Sequence, residues 1–466
     1  MSRNVSPRRN LRHREYVFFC DESLDAEAFA QITLHVERPR YRLEGRNIPV
    51  CNEEDYAASR HQLADLRLVN KSFCRSASHC LFRVIQAKLT FNPSIPEKHQ
   101  PLEKLFQISC SPHASSVREV YVGFDSTFTS RPVDEDYVRD LASLLPLCLS
   151  RFPGLTALKY LGPEYYNNDR EVESLAVPIP EHLMRTFTRR LEARALAVEF
   201  PEHLMRIFTN TAVKALKSVS LPALRELSLS LPVTYEFGQF FPSGISGTPI
   251  EIVVRRLRHL SLQVCDNTGP SGGVRSENIP LSAVKSKFPN PTFASQFFKF
   301  VELATNLKSL HIIGTDILNI DGVSFRHMND LAYLYLSNVA ISSENLLSLV
   351  ENCKNSMIGL AFSQVELNSG KWQDILIPVS RLPSLSLCRL IGCGYSTTGK
   401  SSHLANPDLS PFPAELDTLD NLDFHALGNL QRQVSANRSK AGLEKLGDYR
   451  YLHLEPLETV KDLIDD

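Results

Sequence analysis

Fourteen histidines and ten cysteines are spread along 466 residues. That is enough nitrogen and sulfur for a metal site or an activated nucleophile, if spacing brought them together. It does not: neither H-E-x-x-H nor C-x-x-C occurs, so the helical zinc site and the paired-thiol redox motif are missing. Cys388 and Cys393 lie five residues apart beside Gly392 and Gly394. No histidine pair stands at zinc-finger distance, so this segment reads as a turn at a repeat end. The glycines of PSGGVRS do not separate a strand from a phosphate-binding helix and read as a flexible loop. The run VVRRLRHL groups Arg255, Arg256, Arg258 and His259. Lacking interleaved aromatics, it reads as a solvated surface rather than a nucleic-acid or phosphate site. The expectation is a protein without catalytic activity, cofactor or metal.

What the sequence does carry is a pattern that builds surfaces. L-x-x-L-x-L recurs at Leu224, Leu227, Leu229, then Leu257, Leu260, Leu262, then Leu307, Leu310, Ile312, then Leu331, Leu334, Leu336. Two weaker copies are read at Met357, Leu360, Phe362 and at Leu382, Leu385, Leu387. The last four copies begin at 307, 331, 357 and 382, in steps of 24, 26 and 25 residues, within the range of leucine-rich repeats. The L-x-L alternation points two side chains to one face of a short strand and the residues between them to the other. Helices lie between strands; SSENLLSLVENCK, with Ser343 as its N-cap, is one. A single repeat cannot bury its own apolar face, so stacking must supply stability. The expected fold is α/β: a leucine-rich-repeat solenoid, with a curved parallel sheet and convex helices, over 100–395. Its strands are expected from about 115.

The rest of the chain is organised around that array. VREVYV and LTALKYL read as irregular early copies separated by the helical DEDYVRDLASLL. The 50-residue step from 257 to 307 spans two units, and a loop insert near 264–296 is expected to replace one of them. PEHLMRTFT and PEHLMRIFT, offset by 21 residues, read as two helix starts with proline at the first turn. Beyond Ile391 comes a Gly/Ser/Pro-rich loop. A helical stretch carrying Leu416, Leu419, Leu422, Leu427 and Leu430 follows within 396–466 and should cap the solenoid. Residues 1–55 form a basic, poorly patterned extension with Arg3, Arg8, Arg9, Arg12 and Arg14.

Side chains between and after the leucines should face a partner on the concave side. Those expected to bind are His259, Gln263, His311, Tyr333 and Tyr335, among neighbours such as Glu226, Ser228, Ser261 and Ser309. Two exposed tyrosines on one strand cost solvation unless something covers them. That cover is a partner, a neighbouring loop or the C-terminal tail.

From Gln62 to Ile85 runs QLADLRLVNKSFCRSASHCLFRVI. Leu63, Leu66, Val69 and Phe73 make one helical stripe and Ala77, Leu81 and Val84 the next, with Ser76 or Ser78 able to cap the second. By its residues alone, 56–90 is a helical hairpin capping the first repeat. The segment also resembles the second half of the F-box in fungal F-box and leucine-rich-repeat proteins. The family's opening helix has no recognisable counterpart in RYRLEGRNIPVCNEEDYAASRH. The resemblance implies a substrate-recognition adaptor of a cullin-RING ubiquitin ligase. Leu66, Arg67, Val69, Asn70, Lys71, Phe73 and Leu81 would then contact the linker subunit that joins the cullin, and the repeats would hold a protein substrate. A repeat scaffold with no ligase attachment is the other reading.

Composition bounds the partners. Lysine plus arginine total 51 against 52 acidic residues, so no global field draws in nucleic acid or an anionic membrane. The best apolar stretch, Leu141 to Leu161, is broken by Pro146, Arg151 and Pro153, so no membrane span is expected. Scattered cysteines favour a reducing cytoplasm or nucleus.

Overall fold

In a computed structural model the described residues are 53–69, 71–89, 100–124, 135–162, 201–241, 249–266, 282–396, 416–418 and 420–443. The chain divides into two compact units, Met1–Leu81 and Phe82–Asp466.

The first unit contributes helices α1 (Glu53–Leu66) and α2 (Lys71–Leu81), which pack together. The expected single helix through Leu63, Leu66, Val69 and Phe73 is corrected: the chain leaves α1 at Leu66. The amides of Leu68 and Val69 bond three residues back, to Asp65 and Leu66, as a tight turn. Because α2 begins at Lys71, Ser76 and Ser78 lie inside it and cap nothing. Its buried stripe is Phe73, Ala77 and Ser78, the i, i+4 face of one helix. The segment before Gln62 that looked unpatterned is helical from Glu53.

Among the described residues the second unit is a ten-stranded, all-parallel sheet in which β1 to β9 pair in chain order and β10 pairs back with β8 beside β9. Its first half comprises β1 (Val84–Leu89), α3 (Gln100–Ser109), β2 (Glu119–Phe124), α4 (Glu135–Ser150), β3 (Ala157–Leu161), α5 (Glu202–Ser218), β4 (Glu226–Leu231), α6 (Pro249–Arg256) and β5 (His259–Val264). Then follow α7 (Ala283–Lys287), α8 (Asn290–Leu303), β6 (Ser309–Asn319), β7 (Tyr333–Ile341), α9 (Ser343–Asn352) and β8 (Gly359–Leu367). The unit ends with α10 (Trp372–Ser380), β9 (Leu387–Ile391), β10 (Gly394–Tyr395) and α11 (Asn421–Lys440). Parallel strands need crossovers, and helices supply most of them.

Register explains why the leucines recur. Leu227, Leu260, Leu310, Leu334 and Leu360 are partners across five strands, and so are Leu229, Leu262, Ile312, Leu336 and Phe362. Each is at most 2% exposed and joins the helices' apolar faces in one continuous core. Burying each such side chain contributes roughly 2 kcal/mol. The helices α4, α5, α6 and α8 pack in succession, as do α9, α10 and α11.

Several boundaries move. Val84 starts a strand rather than ending a helix, so the sheet begins there and not near 115; Ile85, Ala87 and Leu89 alternate inward. The last repeat copy shifts by three: Cys388 and Leu390 pair with Leu360 and Phe362, so the phase is Leu385, Cys388, Leu390. LPSLSL mimics the pattern one turn early, and Leu387 falls on the opposite face. The insert expected over 264–296 is shorter, since β5 extends to Val264 and α7 and α8 occupy its second half. The N-cap of α9 is Ser342, whose hydroxyl accepts from the amide of Asn345 at 3.2 Å. Of the duplicated PEHLMR runs, the second opens α5 and the first lies outside the described residues. The 1–52 part of the basic extension lies outside them too.

Asn338, Gln364 and Gly392 hold φ of 52°, 54° and 55°. Each stands five residues after the first residue of its strand, so one left-handed kink recurs from β7 to β9. Asn338 stabilises its kink by donating its side-chain N–H to the carbonyl of Gly314 at 2.9 Å.

Candidate recognition surfaces

Side chains that alternate with the core rows define the open face of the sheet. Its outermost row runs Glu119, Ala157, Glu226, His259, Ser309, Tyr333, Gly359 and Leu387. The next row runs Gln86, Tyr121, Lys159, Ser228, Ser261, His311, Tyr335, Ala361 and Arg389. The expected face residues are thus brought together on one side, Gln263 in the third row beside Ser230.

Exposure is where the expectation fails. Tyr333 is only 8% exposed. A Cβ at Gly359 would sit 2.7 Å from the Tyr333 ring, so the ring lies over the bare glycine of the next strand. Neither a partner nor a loop is needed to cover it. Burial pushes its phenol pKa upward. Tyr335 is half-buried and meets the His311 ring edge-on at 5.3 Å. His259 is also buried, its Nδ1 2.8 Å from Ser309 Oγ. An imidazole beside a hydroxyl could activate a nucleophile. Ser309, however, is fully buried, so the pair joins two strands and offers nothing to a substrate.

On this face Lys159 and Glu226 are matched to each other, whereas Arg389 on β9 makes no ion pair among the described residues. Lys159 Nζ donates to Tyr121 Oη at 2.5 Å, stands over that ring at 4.4 Å, and lies 3.6 Å from Glu226 Oε1. Lys88 Nζ also lies 5.4 Å from the centroid of the Tyr121 ring. The His311 pKa is lowered to about 4 by burial, with the nearby His259 adding to the effect. The imidazole is therefore neutral at pH 7.

The basic run does not form one patch. Arg255 and Arg256 end α6, Arg256 donating to the carbonyls of Ile252 and Pro222, while His259 turns to the open face. Among the described residues no cluster of three or more His, Cys, Asp or Glu side chains could hold a metal ion. No described helix is long and apolar enough to cross a membrane.

In the first unit, the turn after α1 is apolar and outward: Leu68 is 85% exposed and Val69 54%. Leu66 and Arg67 are half-buried, Lys71 is exposed, Phe73 is buried and Leu81 half-buried; Asn70 lies outside the described residues. Leu68 is the residue sequence reasoning missed. Its signal was present in R-L-V, but a continuous helix placed it on the polar side.

Two letter patterns also escaped the sequence reading. GYSTTGKS, from Gly394 to Ser401, spells G-x-x-x-x-G-K-[ST], and GPSGG, from Gly269 to Gly273, spells G-x-S-x-G. A phosphate loop needs its lysine to open a helix. By sequence, Pro407, Pro411 and Pro413 disfavour a long helix after Lys400. The first glycine is already used: Gly394 pairs in β10 and its carbonyl accepts from Trp372 Nε1 at 2.8 Å. Residues 397–401 and 269–273 lie outside the described residues.

No family model matches the chain, and no curated protein matches its sequence.

Proposed function

We propose that this chain is a non-catalytic protein-recognition module of the cytoplasm or nucleus that works as a substrate adaptor of a cullin-RING ubiquitin ligase. In this reading the α1–α2 pair holds the linker subunit, and the leucine-rich array holds a protein substrate on the open face of its sheet. The observation that carries the proposal is the outward apolar turn. Leu68 and Val69 expose their side chains to water, an arrangement that costs solvation unless a partner covers it. The turn stands two residues before α2 and within sixteen residues of β1, so linker and substrate surfaces are carried on consecutive elements. The test is reconstitution. The full chain mixed with a purified linker–cullin pair should elute as one stoichiometric complex; separate elution at micromolar concentration refutes the adaptor reading.

A repeat scaffold with no ligase attachment is the second reading. It is favoured by α1 itself, EEDYAASRHQLADL, whose large apolar side chains are few.

A further inference from the structure

We infer that the open face reads an uncharged, hydrogen-bonding segment of a partner protein, about six residues long, laid across strands β4 to β8. The inference rests on the protein-recognition reading above and names the chemistry of the segment recognised.

Three observations lead to it. The first is charge. Lys159 is held by Tyr121 and Glu226, with side-chain exposures of 13% for the lysine and 9% for the glutamate. An acidic or phosphorylated segment would have to pull Lys159 from a nearly dry pair, and a basic one would meet Lys159 itself. Breaking a buried pair costs more than a new exposed contact returns. His311, lying neutral three strands away, supplies no cation, and Arg389 stands on β9, outside the span of the segment.

The second is shape and bonding capacity. In the row that begins at Gln86, Ser228 and Ser261 are register partners between the longer Lys159 and His311, so the row dips at its centre. Neither hydroxyl makes a hydrogen bond within the described residues, and both side chains are only half-buried. One row on, Gln263 Oε1 is buried with no donor among the described residues. An unsatisfied carbonyl of this kind gains by turning toward an incoming N–H. Small hydroxyls and a side-chain amide match the backbone and the neutral polar side chains of an extended segment.

The third is length. Adjacent strands lie about 4.8 Å apart, so β4 to β8 span roughly 19 Å, which about six extended residues cover at ~3.3 Å each.

The experiment uses the full chain, immobilised, and three pools of labelled peptides about ten residues long. One pool is built from Ser, Thr, Asn, Gln and Gly, one is enriched in Glu and phosphoserine, and one is enriched in Lys and Arg. The neutral pool should be retained best, with equal retention at roughly 0.05 M and 0.5 M salt. Ser228→Trp with Ser261→Trp should reduce that retention about tenfold, while Ser228→Thr with Ser261→Thr retains it and controls for folding. Preference for a charged pool, salt-sensitive capture, or no retention overturns the inference. Linker capture is measured on the same preparation. Linker binding without peptide retention sinks this inference alone, and the reverse sinks the adaptor reading alone.

Discussion

His311 and its neighbours show how a residue can be placed correctly on a face and wrongly in exposure. The repeat pattern fixes which side of the strand His259, His311, Tyr333 and Tyr335 occupy, because alternation is strictly two-residue. It says nothing of what stands on the next strand. Gly359, opposite Tyr333 in the register, is what lets that ring lie down, and no local pattern announces it. The depressed His311 pKa of about 4 has a measurable consequence. An unfolded histidine titrates near 6.5, so the unfolded chain binds the extra proton between about 6.5 and 4. The histidine's contribution is fully present above pH 6.5 and is lost as pH falls toward 4. The loss is at most about 3 kcal/mol, since part of the ring stays accessible to water. Denaturant melts of His311→Phe should show a flatter stability profile over that window; an unchanged slope contradicts a buried neutral imidazole. At the same scale, the letters GYSTTGKS should bind nothing. Calorimetry with ATP and magnesium should give no saturable heat, and Lys400→Ala should be indistinguishable from the parent chain. Stoichiometric nucleotide binding would show that a phosphate-cradling helix forms despite Pro407.

At the scale of elements, strands with strong leucine periodicity were legible and boundaries set by imperfect copies were not. The phase of the last repeat was misread because Cys388 occupies a leucine position while LPSLSL offers leucines at the wrong one. Strand β1 was hidden because its core residues are Ile85, Ala87 and Leu89, directly behind a helix that ends without glycine or proline. The capping role expected for the C-terminal leucines is carried by part of that set, with Val434 added, and Leu419 lies outside the described residues. Leu427, Leu430 and Val434 are buried, whereas Leu422 is 55% exposed and Leu416 makes a strand bridge to Cys393. The helix is oriented by Asp423, fully buried, which accepts from Tyr395 Oη at 2.5 Å, Thr418 Oγ1 at 2.8 Å and the amide of Gln373 at 2.7 Å. A buried acceptor serving three donors leaves each of them unpaired when removed. Asp423→Ala should therefore destabilise the chain by about 3 kcal/mol, and limited proteolysis should cut first near α11. A melting temperature equal to the parent's would mean that α11 is held by apolar contact alone.

For the whole molecule, two units stand in sequence: a helical pair with an outward apolar turn, and a parallel sheet whose strands follow chain order from β1 to β9. Strand order equal to chain order is what stacking of similar units produces, since each unit can bury its leucines only against its neighbours. The sheet was legible because that constraint repeats; the turn was not, because it occurs once. The central claim, that the helical pair docks a ligase linker while the sheet selects a substrate, is tested most directly by equilibrium binding of the linker subunit to the full chain and to Leu68→Asp with Val69→Asp. The account predicts micromolar or tighter binding by the parent chain. It also predicts at least about a tenfold loss in the variant, with stability changed by no more than about 0.5 kcal/mol because both side chains already face water. No binding by the parent chain, or equal binding by the variant, contradicts it.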